Sequence, residues 1–290
     1  MAESSSSADY RCIQKRDACM SVHDFSRTNN NRTVANCTAE QGAIENSATI
    51  DSAVNNNAAW CSAVAASHGL EFELYSDVWL CRYPMPPFYP NLITLRPVIN
   101  ADHWLDQLSS DLPGGWGIKD SFSTLNLSGD YFVQLFEAHW YCRSALTALA
   151  ITGQTTQQGL PFVAEVKSYS ELKLWECAWS GKPLSSHRIF LPALSGSSAI
   201  RFIYTKGLTR ASQWEAGLIL NTSGKVAGIS NLFGTTEGIM SCVEYAANLY
   251  PNKALVGYGS AGELTMLSGI GFTRLADLQV WLYSQTQRAR

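Results

Sequence analysis

Residues Val226–Phe272 read VAGISNLFGTTEGIMSCVEYAANLYPNKALVGYGSAGELTMLSGIGF, and they contain the most legible run of elements in the chain. Lys225–Phe233 is rich in strand formers, Glu237–Tyr250 reads as a helix stopped by Pro251, and Ala254–Tyr258 reads as a second strand. Glu263–Ser268 is a short helix closed by Gly269 and Gly271. Downstream, Leu275–Tyr283 is a terminal strand. Upstream, Glu215–Leu220 joins Lys225–Phe233 through Asn221-Thr222-Ser223-Gly224, polar hairpin chemistry with glycine for a positive φ. Ile200–Thr205 and Phe162–Val166 are further strands, and Ser170 is an N-cap for a helix over Glu171–Trp179. From residue 161 the order is strand, helix, three strands, helix, strand, helix, strand.

That order, with VAGISNLFG at Val226–Gly234, ALVGYGSAGELTMLSGIGF at Ala254–Phe272, RLADLQVWLY at Arg274–Tyr283 and LWECAW at Leu174–Trp179, resembles the GNAT superfamily of N-acyltransferases over about 161–290. The resemblance implies an α/β (α+β) fold, a mixed sheet flanked by helices, with acyl transfer from a thioester to an amine as the activity. It implies that the fourth and fifth strands of the family part to admit a donor, acetyl-CoA or another acyl-CoA. The donor site then falls on Ile229, Ser230, Asn231, Leu232 and Phe233, on Gly234, Thr235, Thr236 and Gly238 at the helix entry, and on Val256 and Gly257. The family's phosphate-binding loop is only partly matched, because Asn231, Gly234 and Thr236, or alternatively Phe233, Thr236 and Gly238, stand on its three signature positions. Glu237 adds a negative charge at a helix start that would otherwise favour an anion. A carrier protein or an aminoacyl-tRNA would need less of this loop.

The family's usual acid, a tyrosine four residues before the glycine of the Gly-Phe ending, is replaced by Leu267. Tyr258 is the nearest substitute to protonate a leaving thiolate, or else a packing residue at a strand end. Glu215 is either a general base or a solvated carboxylate. Ser230 and Asn231 either bond the substrates or satisfy a turn. Trp140, Trp175, Trp179 and Lys119, with Phe88, Tyr89 and Trp116 among the further aromatics, line an acceptor pocket or belong to the core. GWGIKDS, Gly115–Ser121, reads as a compact polar turn in which Lys119 holds either an ion pair or a substrate carboxylate. His139 lies in a strand-like run, as a core or functional histidine. Gly257-Tyr258-Gly259-Ser260-Ala261-Gly262 also matches the dinucleotide pattern G-x-G-x-x-G, but only 28 residues follow it, too few for a parallel dinucleotide sheet. A nucleotide-dependent oxidoreductase and a non-catalytic GNAT-like binder are the two rivals to the enzyme.

The first half reads differently. Of 32 aromatic residues only Tyr10 and Phe25 precede Trp60, and the first leucine is Leu70, so 1–59 is expected to be a disordered polar tail. A helix over Ala58–His68, strands over Phe72–Tyr83 and Leu92–Pro97, a helix over Asp102–Leu112, and strands over Ser121–Leu127 and Tyr131–Cys142 follow, with a turn at Ser128–Asp130 and a polar connection at Gln154–Gly159. PMPPFYP, Pro84–Pro90, is a rigid loop. Residues 60–160 are therefore an accessory or degenerate GNAT-like half beside the 161–290 domain.

At 46% hydrophobic, 16% charged and a formal charge of −3, the chain offers no electrostatic case for DNA or an anionic membrane. It has no apolar run long enough to span a bilayer and no signal-peptide pattern at its start. Its eight cysteines match no zinc template, so no metal is expected. A cytoplasmic protein with a small-molecule amine as acceptor is the resulting expectation.

Overall fold

The computed structural model describes residues 48–97, 99–127, 131–145, 162–183, 187–206 and 214–284. The expected tail over 1–47, the turn at 128–130 and the connection at 154–159 lie outside the described residues. In chain order the elements are α1 (Ile50–Ser67), β1 (Glu73–Leu74), β2 (Val78–Leu80), β3 (Leu92–Thr94), α2 (Asp102–Asp111), β4 (Trp116–Asp120), β5 (Phe132–Arg143) and β6 (Phe162–Glu165). Then come α3 (Tyr169–Ser180), α4 (Pro192–Ser195), β7 (Ile200–Lys206), β8 (Trp214–Ser223), β9 (Val226–Gly234), α5 (Thr236–Leu249), β10 (Ala254–Gly259), α6 (Ala261–Ser268) and β11 (Thr273–Tyr283). The described strands form one mixed sheet in the order β1-β2-β3-β4-β11-β5-β10-β9-β8-β7-β6.

Alternation along the strands sorts side chains to two faces. On one face Val226, Val256, Trp140, Ile219 and Phe202 pack with Ala53, Val54, Trp60, Cys61 and Val64 of α1 and with Leu172 and Trp175 of α3. On the other, Ala227, Ile229, Leu255, Leu218 and Leu220 pack with Ile239, Cys242, Val243 and Ala246 of α5 and Leu267 of α6. α2 covers the first half through Leu108 against Leu80, Leu92 and Ile118. Fully burying one Val, Leu or Phe side chain stabilises by roughly 1.5–3 kcal/mol, so these layers hold the sheet between helices.

The two halves share an arrangement. β3 and β4 run parallel around α2, as β9 and β10 run parallel around α5. Each half then gives up a strand to the other. β5, from the first half, lies between β10 and β11 of the second, and β11 lies between β4 and β5. The cut expected at residue 160 therefore separates the chain but not the sheet.

Five further expectations are corrected. The polar tail does not reach residue 59, because α1 begins at Ile50 behind a capping box of Thr49 and Ser52 and buries Ala53, Val54, Asn56, Asn57 and Ala58. Small residues and asparagines fill this interface, which is why the lack of leucine misleads. Gly115–Ser121 is not a polar turn, since Trp116–Asp120 is the fully buried strand β4, and Ser121–Leu127 forms no strand. The N-cap of α3 is Ser168 rather than Ser170, in a capping box with Glu171. Phe72–Tyr83 holds two short strands, β1 and β2, rather than one.

Candidate functional site

β9 and β10 pair only through Val226–Gly228 with Ala254–Val256. Beyond that β9 stays with β8 and β10 stays with β5. Ile229, Ser230, Asn231, Leu232 and Phe233 form one bank of the divergence, and Gly257, Tyr258 and Gly259 the other. Val256 belongs to the last paired step. The β8–β9 register shifts between Gly217–Phe233 and Ile219–Ser230, so Asn231 and Leu232 together oppose Leu218 in a β-bulge. Asn231 has a φ of 54°, a left-handed conformation that asparagine tolerates better than most residues.

Ser230 and Tyr258 stand two residues past the last paired residues Gly228 and Val256, so both face the α1 side. There the polar groups converge. Lys119 Nζ of β4 donates to the Tyr258 hydroxyl at 3.0 Å and to Asn57 Oδ1 of α1 at 2.7 Å. It also stands 4.2 Å from the centre of the Tyr258 ring. Trp140 walls the other side of Tyr258, ring centroids 5.2 Å apart, and donates its indole N–H to Ser121 O at 2.8 Å. Burial pushes the Cys61 thiol up, while the Lys119 charge pulls it back in part. Tyr89 arrives from the proline-rich loop and meets Trp60 edge-on at 6.1 Å. Burial pushes its phenol well above the ordinary range. Its neighbour Phe88 has a φ of 75° and rests on Trp179. That loop therefore brings Tyr89 onto Trp60 of α1.

The opposite face is closed by other residues. Tyr141 donates to Glu263 Oε1 at 2.7 Å, and burial followed by the Glu263 carboxylate pushes its phenol well up. A Cβ on Gly257 would lie 2.6 Å from both Ile229 O and the Tyr141 ring, and one on Gly259 would lie 2.1 Å from Glu263 Oε1. Gly257 is required by packing, not by a pyrophosphate, whereas at Gly259 only the end of the Glu263 side chain would have to shift. The sheet is mixed, with β10 antiparallel to β5, so the oxidoreductase reading loses its structural basis.

At the helix entry, Gly234 has a φ of 106°, and Thr235 caps α5 by accepting the Gly238 N–H at 3.2 Å. A Cβ on Gly238 would meet Ala216 Cβ at 2.5 Å, so Gly238 seats the helix on β8. Thr236 opens α5 and Glu237 supplies its acidic first turn. Ser230 Oγ is buried with no hydrogen-bond partner. The divergence fits the amide-bearing arm of an acyl-CoA. The start of α5, capped and acidic, does not fit its diphosphate.

Of the expected site residues, Tyr258, Lys119 and Trp140 are brought together. Trp175 is instead fully buried against Phe190, Phe202 and Phe233, with its N–H on Ile203 O, and Trp179 stacks beside it. Trp116 stacks on Tyr283 in the first-half core. Glu215 hydrogen-bonds neither Tyr258 nor Lys119; its main-chain carbonyl accepts from Thr235 N. Leu267 is fully buried among apolar residues, as a leucine there requires. His139 bonds Asp277 at 2.6 Å. Asn57, Cys61, Tyr141 and Glu263 were not legible as site residues, though the Thr49–Ser52 cap is a signal that would have put Asn57 on a helix.

A GCN5-related N-acetyltransferase from Kribbella flavida superposes with a TM-score of 0.53 at 8% identity, covering 82% of this chain and 97% of that one. The fold is GNAT-like. Residues 161–290 are less than half of the chain, so the GNAT likeness runs well into the first half. A GNAT-family protein from Novosphingobium aromaticivorans (TM-score 0.49, 9% identity, 80% and 99% covered) and a functionally unknown protein from Staphylococcus epidermidis (0.49, 12%, 73% and 92%) are also similar in structure. No family model and no curated sequence matches the chain. Among the described residues no group of His, Cys, Asp and Glu is placed to hold a metal ion, and no helix is long and apolar enough to cross a membrane.

Proposed function

We propose that this protein transfers an acyl group from a thioester donor to the amine of a small molecule, at the divergence of β9 and β10. The observation that carries the reading is the Asn57–Lys119–Tyr258 group, set where a GNAT-like sheet opens. An acyl-CoA is the donor we favour, with a carrier protein or an aminoacyl-tRNA as the alternatives its ill-fitting diphosphate site leaves open. The donor supplies an activated carbonyl. Backbone N–H groups of the Asn231 bulge polarise it. The amine nitrogen attacks the carbonyl carbon, the C–S bond breaks, and the Tyr258 hydroxyl gives its proton to the departing sulfur. The attacking nitrogen sheds its proton to water, and Tyr258 is reprotonated from solvent. Lys119 and Trp140 position the phenol. Glu215 has no part in this scheme. We place the protein in the cytoplasm, where its cysteines stay as free as Cys61, Cys81, Cys142, Cys177 and Cys242 are here.

A non-catalytic binder is the second reading, favoured by the Tyr141–Glu263 contact and the acidic start of α5. Free-thiol release separates the two, measured with acetyl-CoA and acylated carrier protein against a panel of amines; ester donors are followed by mass spectrometry of the product. Transfer that falls by about 10²–10⁴-fold in Tyr258→Phe supports the enzyme. No transfer from any donor, aminoacyl-tRNA included, supports the binder.

A further inference from the structure

Lys119 is 4% exposed, and its two hydrogen-bond acceptors, Asn57 and Tyr258, are uncharged. No ion pair among the described residues includes it. An ammonium has three N–H groups, so one is left over. Two candidate counter-charges, the sequence neighbour Asp120 and Cys61 of α1, are accounted for. Asp120 spends its carboxylate on the Phe122 and Leu125 amides and on Thr94. Burial pushes the Cys61 thiol up despite Lys119, which keeps it protonated. A buried cation without an anion is costly, and an arriving anion offsets that cost. Across the strand divergence stands a second unsatisfied group, the buried Ser230 hydroxyl.

We infer that the acceptor carries a carboxylate beside its amine: it is an amino acid, held by Lys119 with Ser230 as second donor, its side chain against Trp140 and Tyr89. This rests on the acyl-transfer reading only for the amine; the carboxylate site stands on the spare N–H of Lys119 and the unpartnered Ser230 hydroxyl.

Calorimetry of the full chain with L-phenylalanine and with phenethylamine, which lacks only the carboxylate, tests this directly, and the other common amino acids against their decarboxylated amines extend it. The amino acid of at least one pair is expected to bind about ten- to a hundredfold more tightly than its amine, the usual scale for a hydrogen bond to a charged group. Lys119→Met is expected to abolish that difference, and Lys119→Arg to keep part of it. If Lys119→Met does not fold, the amino acid and amine pairs on the wild type still decide. Equal binding within every pair, or no binding at all, overturns the inference. Amines acylated as fast as amino acids overturn it while leaving acyl transfer intact. Lysine-dependent amino-acid binding with no transfer from any donor supports the carboxylate site and removes the enzyme.

Discussion

Lys119 Nζ and the Tyr258 hydroxyl lie 3.0 Å apart, although 139 residues of chain and the two strands β11 and β5 separate them. Lys119 is opposite Val280 on β11, and Tyr258 is opposite Trp140 on β5. Val280 and Trp140 each lie three residues before the end of their strands, Tyr283 and Arg143. The two side chains thus occupy matching places in the two halves and meet over the exchanged strands. The site exists only because each half completes the other.

Separate expression of 48–160 and 161–290 is therefore expected to give two unstable fragments, and their co-expression a folded complex. Circular dichroism and thermal unfolding of each preparation check this. Cooperative unfolding of 161–290 alone would contradict the strand exchange. A chain starting at residue 60, which lacks the buried Ala53, Val54, Asn56 and Asn57, is expected to unfold at a lower temperature than one starting at Ala48.

The second half was legible because its signals are local: period-two strands, a proline stop after α5, and glycines after α6. What was lost in the first half was lost for physical reasons. α1 buries alanine and asparagine, so its helix carries little hydrophobic signal. Asn56 holds its place through long-range bonds to Asn221 O and Ser223 Oγ, which no sequence window contains. β4 places Lys119 and Asp120 in a strand buried throughout, where charged residues normally argue for a turn. Tyr258 and Lys119 were each readable as candidates, but their contact depends on the strand exchange.

Asp120 gives a stability prediction with a definite sign. Burial raises its carboxyl above the ordinary value, against the hydrogen bonds of the Leu125 and Phe122 amides. A folded-state pKa above the unfolded one means that this group's contribution is most favourable below about pH 4 and declines as pH rises through the folded pKa. Asp120→Asn is expected to remove that part of the pH dependence in urea unfolding. Asp120→Ala, which strands buried amides, is expected to cost about 1–3 kcal/mol. A pH profile identical in Asp120→Asn would contradict the assignment.

Glu237 tests the donor. If an acyl-CoA is used, removing the charge at the start of α5 in Glu237→Gln is expected to tighten it by about two- to fivefold, the scale of a charge interacting with a helix terminus. The effect should shrink with added salt. Unchanged affinity would indicate that no diphosphate lies there and favour a carrier protein.

The most direct test of the account is hydrogen exchange of the full chain with and without saturating acetyl-CoA. The account predicts slowed exchange at the bulge amides within Ile229–Phe233 and on the facing bank at Gly257–Gly259, with little change in β7 or β2. Protection confined to other strands, in a protein shown to transfer acetyl groups, would contradict a donor site between β9 and β10.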